Sequence, residues 1–157
     1  MKVFDKSFME NGHSVRKLKP QRFSMQEIEP GLIGYLATLN AVESDMMEIQ
    51  WVRYKTKHGL AGFSSYVVAW CLCDENNNRL FDSGDDEETL SESFLAAFNK
   101  IKQWDADLVK RGFAIATTSN GLSEEDIKEL EKNSEATAGE CGNGETQPMP
   151  ASVVASG

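Results

Sequence analysis

Histidine is scarce in this chain: there are only two in 157 residues, His13 and His58. Neither stands beside a Ser or Cys at a nucleophile elbow such as Gly-x-Ser-x-Gly. There is no His-Glu-x-x-His, no Gly-x-Gly-x-x-Gly and no phosphate loop. The sequence therefore reads as non-enzymatic and without a cofactor. Cysteine is sparse too. Cys71, Cys73 and Cys141 are an odd set with no regular spacing, which argues against a secreted disulfide framework. A metal site at Cys71-x-Cys73 would need two more ligands, and neither histidine sits at zinc-finger spacing. No run of about eighteen apolar residues exists, so no segment is expected to span a membrane. Lys2, Asp5, Lys6 and Glu10 break up any apolar signal core, and the expected location is the cytoplasm.

Positive charge is the next shortage. The formal net charge is −9 and its placement is uneven. Residues 1–22 carry six Lys/Arg against two acids, whereas residues 23–133 carry ten against twenty. A body this acidic repels phosphate backbones, so nucleic acid is not an expected partner. The basic start reads either as a solvated arm or as an attractor for an acidic partner.

What the chain does have is an ordinary globular composition, with 40% hydrophobic and 9% aromatic residues. The pattern implies a mainly α domain of four to five helices over 23–133. An irregular arm precedes it (1–22) and a disordered tail comes after it (134–157). Asn11-Gly12 and Lys19-Pro20 discourage regular structure in the arm. Ser24-Met25-Gln26-Glu27 has capping-box spacing. With Pro30 it allows a helix starting at Ser24 or at Pro30 and running to about Asn40, its apolar positions Leu32, Ile33, Leu36 and Leu39. A second helix is expected over about 44–57. The run Tyr66–Cys73 is apolar throughout and reads equally as a buried strand or a buried helix. Asp74–Asn78 is a turn by composition. A long helix over about 86–111 should carry Leu90, Phe94, Ala97, Ile101, Trp104 and Leu108 on one stripe, with Gly112 ending it. After a loop over 113–122, a short helix runs from Ser123 to about Lys132, gripping through Ile127 and Leu130. Beyond Asn133 there is no aromatic residue, and small and polar residues dominate.

Two constellations stand out. Met46, Met47, Trp51 and Tyr54 load one short helix with adaptable apolar side chains. They are candidates for a partner-binding face, or else internal core. Asp74, Asn76, Asn78, Asp82 and Asp85 fall at positions 1, 3, 5, 9 and 12 of a helix-loop-helix calcium module. Arg79 stands where that module needs Gly, and Asp85 replaces its longer Glu. The plain alternative is a polar turn leading into a capped helix.

The run Val68–Phe81, with its apolar stretch, Asp-rich turn and Leu80-Phe81, resembles the tail assembly chaperones of long-tailed (siphophage-type) bacteriophages. The acidic lead Asp85-Asp86, then Leu90, a long amphipathic helix and Gly112 extend the resemblance. The likeness covers about 65–122, and is looser from Ser24. Asn77-Asn78 stand where many members show Gly. The resemblance implies a mainly helical fold in which 65–73 is helix. It implies a protein that binds the tape measure protein, keeps it soluble while tail tube subunits polymerise around it, and self-associates. It also implies a longer frameshifted form that reaches the tail tube protein, action in the host cytoplasm, and absence from the finished virion.

Overall fold

The computed structural model describes residues 3–7 and 18–132. Among them are five helices and three short strands. We label the strands β1 (Gln21–Ser24), β2 (Ile33–Leu36) and β3 (Leu72–Cys73). The helices are α1 (Ala41–His58), α2 (Phe63–Cys71), α3 (Glu92–Ile101), α4 (Ala106–Ser119) and α5 (Glu124–Lys132). The fold is mainly α, with one antiparallel sheet of order β1-β2-β3.

α2 is the centre. Eight of its nine residues are buried, from Phe63 to Cys71 with only Ser64 partly open. It packs against α4, α3 and α1. Helix and strand readings of this apolar run are both partly right: the helix stops at Cys71 and the next two residues pair with β2. An aromatic cluster fills the space between α1, α2 and α3. Tyr66 lies 5.1 Å from Trp51 and 5.6 Å from Phe94 between ring centroids, at tilted and edge-on angles that suit ring quadrupoles.

Several expectations are corrected. There is no helix over 24–40. Residues 21–36 form a hairpin, pairing Gln21 with Leu36 and Ser24 with Ile33. The reason is local. Pro30 and Gly31 are the central residues of a tight turn closed by Leu32 N–H donating to the Glu29 carbonyl (3.0 Å), and Gly31 takes a φ of +81°. Proline presets the first central position and glycine accepts the left-handed second one. The hairpin also places Gln21 and Arg22 in the body, so the boundary between arm and domain lies before β1.

The long helix over 86–111 is two helices. Ser91 caps α3, its Oγ accepting from Phe94 N–H (3.2 Å). Asp105 caps α4, its carboxylate accepting from Asp107 N–H (2.8 Å). The segment over 82–90 is a loop. Gly112 does not end a helix but sits inside α4, where a Cβ would lie 3.3 Å from Val68 Cγ2 and 3.4 Å from Phe23 Cε2. Its missing side chain sets how closely α4 approaches α2 and β1. The loop expected over 113–122 is mostly the second half of α4. The proposed tail over 134–157, with Cys141, and His13 of the arm lie outside the described residues.

Candidate functional site

Partner binding needs accessible apolar surface, and the four candidate residues of α1 offer little. Met47 and Trp51 are 2% and 0% exposed, which makes them core. Met46 and Tyr54 are half-buried against it. The Trp51 ring is flanked by Phe63 (5.0 Å), and its Nε1 donates to the Leu130 carbonyl of α5 (3.2 Å). Lys55 Nζ donates to the same carbonyl, so two donors of α1 hold one acceptor in the last turn of α5. A cation there is favoured by the helix dipole. Burial lowers the Lys55 pKa below its usual value. The face of α1 carrying Met47 and Trp51 is therefore occupied by α2 and α5. What α1 leaves outward is Val42, Ile49 and Val52, which are 74%, 36% and 38% exposed.

The calcium-type residues do not converge either. Asp74 Oδ1 accepts from Asn76 N–H (2.8 Å) and Asn78 N–H (3.0 Å), and Asp74 Oδ2 from Asn78 Nδ2 (3.3 Å). These bonds hold its pKa below the ordinary value. They close a turn, in which Asn77 takes a φ of +69° that suits Gly or Asn. Asn77 Oδ1 and Nδ2 both bond the backbone of Thr38 (3.0 Å each), which clamps the chain leaving β2. Asp82 Oδ1 accepts from Gly84 N–H (2.8 Å). Arg79, at the position a calcium loop gives to Gly, lies over the Trp70 ring (3.3 Å to the centroid) and donates to the Trp70 carbonyl (2.7 Å). Among the described residues no three His, Cys, Asp or Glu side chains come together as a metal site.

The buried thiols are not activated: for Cys71, burial outweighs the neighbouring Arg79 cation, which alone would lower its pKa. Burial pushes Cys71 up to about 12 and Cys73 to about 11, so at neutral pH both are protonated and poor nucleophiles. His58 is exposed and stacks on Tyr54 (4.4 Å).

A groove of about 600 Å³ lies between the sheet and α3. One wall is Ile33 and Tyr35 of β2 with Leu72 and Cys73 of β3; Met25, Leu80 and Phe81 extend it. The other wall is a single stripe of α3 and the turn after it: Ser93, Ala96, Ala97, Lys100, Ile101 and Trp104. These recur at helical three- and four-residue spacing, so they share one face. Leu80 is 55% exposed and Ile33 38% exposed at its rim. Lys100 is the one charged side chain lining it.

Sequence reasoning placed Ala97, Ile101 and Trp104 on one apolar stripe but missed the groove. Its other wall comes from β2, which the helical reading of 24–40 concealed, and from β3, the end of the apolar run that read equally as strand or helix. The Pro30-Gly31 pair was the available signal.

The chain matches no protein-family model, no curated protein and no solved structure. Among the described residues no helix is long and apolar enough to cross a membrane.

Proposed function

We propose that this protein is a phage tail assembly chaperone, which binds the tape measure protein and keeps it soluble while tail tube subunits polymerise around it. The observation that carries the reading is the open apolar groove between α3 and the sheet. A long client with apolar helical stripes would aggregate if left bare. A groove lined by Leu, Ile, Phe, Tyr and Trp side chains covers such a stripe by the helix-in-groove mode. The net charge of −9 keeps the complex dispersed. The likeness of 65–122 to tail assembly chaperones supports the same reading. The chain acts in the host cytoplasm, leaves before the virion is complete, and self-associates through the outward apolar face of α1. A longer frameshifted form would bring the tail tube protein.

The test is co-expression with a tape measure protein, expected to be encoded beside this chain. The client is expected in the soluble fraction with the wild-type chain and in the pellet with Ala96→Trp, which fills the groove from an exposed position on α3. A client that precipitates equally with and without the wild-type chain would overturn the assignment.

A further inference from the structure

Lys100 is the only charged side chain among the residues that line the groove between α3 and the sheet. Among the described residues its ammonium makes no ion pair and no hydrogen bond. Other cations of the body have internal partners. Lys102 Nζ lies over the Phe98 ring (4.5 Å), Arg111 pairs with Glu27 (2.9 Å), and Arg79 lies over the Trp70 ring (3.3 Å). Ser93, Ala96, Ala97 and Lys100 recur at helical spacing and share one face of α3. Side chains on a helix lean toward its N-terminus, so Lys100 reaches back over the turn that holds Ala96 and Ala97. Those small residues make a low shoulder, on which another helix can approach to about 8–10 Å between axes. The ten residues of α3 run about 15 Å, so roughly three turns of a partner helix span the groove. A partner seated there covers Lys100. An apolar stripe alone would strip the ammonium of water and put nothing in its place, and a second cation would meet it at close range. A carboxylate replaces the lost water and pairs the charge.

From this we infer that the groove takes an amphipathic helix with a carboxylate beside its apolar stripe, the stripe against Ala96, Ile101 and Phe81 and the Asp or Glu on Lys100. The inference rests on the chaperone reading and deepens it by naming the chemistry of the client segment. Apolar contact supplies the affinity. The carboxylate fixes the register of the client along α3, because the groove lining answers it at one position. The net charge of −9 opposes an acidic client at long range. The pairing is a contact effect, and it shows where salt cuts the reach of that repulsion to about 8 Å, at about 0.15 M.

Fluorescence polarisation at about 0.15 M salt tests it, with labelled synthetic helices of about 14 residues. The peptides share one apolar stripe and differ only at the two mid-helix positions that flank it, which carry Glu, Gln or Lys. The Glu peptide is expected to bind the wild-type chain about threefold tighter than the Gln peptide, the scale of a partly exposed ion pair, with the Lys peptide weakest. Lys100→Gln, a change at an exposed position, is expected to keep the apolar binding and erase the preference for Glu over Gln. Lys100→Glu is expected to invert the order. Ala96→Trp is expected to abolish binding of all three. An order that is the same in the wild type and in Lys100→Glu would overturn the inference, and so would binding that survives Ala96→Trp. If no helical peptide binds while the full client is still solubilised, the inference fails and the chaperone assignment stands. If the Glu peptide binds in the Lys100-dependent order but the client precipitates, the reverse holds.

Discussion

Gln50 shows how much one polar side chain carries in this fold. It is 1% exposed, on the buried face of α1 with Met47, Trp51 and Lys55, and its amide joins α1 to Trp70 of α2 and to the acidic segment over 82–92. Gln50→Leu removes every one of those bonds and leaves the Trp70 N–H buried without a partner. A loss of about 1–3 kcal/mol is expected in urea unfolding. In the same variant the 82–92 backbone should lose protection from amide exchange before the core does. Ser83 is the opposite case. Its Oγ is buried with no hydrogen-bond partner, so Ser83→Ala is expected to be neutral or stabilising, by up to about 1 kcal/mol. The thiols set an alkaline limit. Their pKa values rise from an ordinary 9.0 to about 12 for Cys71 and about 11 for Cys73. A raised acid pKa means that the unfolded chain gives up the proton first. Stability from these groups is thus complete below pH 9 and falls as pH rises from 9 through 11 to 12. Urea midpoints measured across that window should decline, and the decline should be shallower in Cys71→Ala, which has no proton to lose.

At the level of elements, the contact of α4 with α2 depends on a side chain that is absent. A Cβ on Gly112 would sit 3.3 Å from Val68 Cγ2, so a branched side chain there must push α4 off α2. Gly112→Val is expected to cost about 1–3 kcal/mol. Gly112→Ala should be close to neutral, because a gain of about 1 kcal/mol in helix propensity offsets the tight contact. Equal stability of the valine variant in thermal unfolding would show that the two helices have slack. This glycine also marks where sequence reading went astray. A Gly near Lys110 and Arg111 looks like a helix end by charge and by type, and only the packing partner shows that it is an interior residue. The body of α1 was legible from apolar positions over 44–57, but its start was not: Asn40, read as the end of a preceding helix, caps α1 in a reciprocal box with Glu43. The short α5 was legible for similar reasons, its Ser123 Oγ accepting from Asp126 N–H (3.1 Å). The break between α3 and α4 was not. Residues 86–111 keep an unbroken helical stripe, so the period hides a stop that Asp105 imposes through its own carboxylate. In the hairpin, Leu32, Ile33, Leu36 and Leu39 satisfied a helical period by coincidence while Pro30-Gly31 dictated a turn. Where period and turn chemistry disagreed, turn chemistry won. Of the two readings open for Met46, Met47, Trp51 and Tyr54, internal core describes Met47 and Trp51, because α2 and α5 lie across them, while Met46 and Tyr54 are half-buried beside them.

Charge acts on the whole molecule, and it bears directly on self-association. Two copies of a chain with net charge −9 repel one another, so contact through Val42, Ile49 and Val52 works against that repulsion. Salt shortens the reach of the repulsion to about 10 Å at 0.1 M and leaves apolar contact intact. Self-association should therefore strengthen as salt rises. Sedimentation velocity at low and high salt reads this directly. The wild-type chain is expected to shift to larger species with added salt, and Ile49→Glu/Val52→Glu is expected to remain monomeric throughout. Both substitutions lie at exposed positions, and α1 keeps its buried Met47, Gln50 and Trp51, so the fold should persist and client binding at the groove should be unaffected. Larger species that dissolve on adding salt would point to an ionic contact, the basic residues of 1–22 against the acidic body being the obvious pair. A double variant that assembles like the wild type would move the self-contact off α1. Either outcome leaves the groove assignment standing, because the groove lies between α3 and the sheet whereas Val42, Ile49 and Val52 lie on α1.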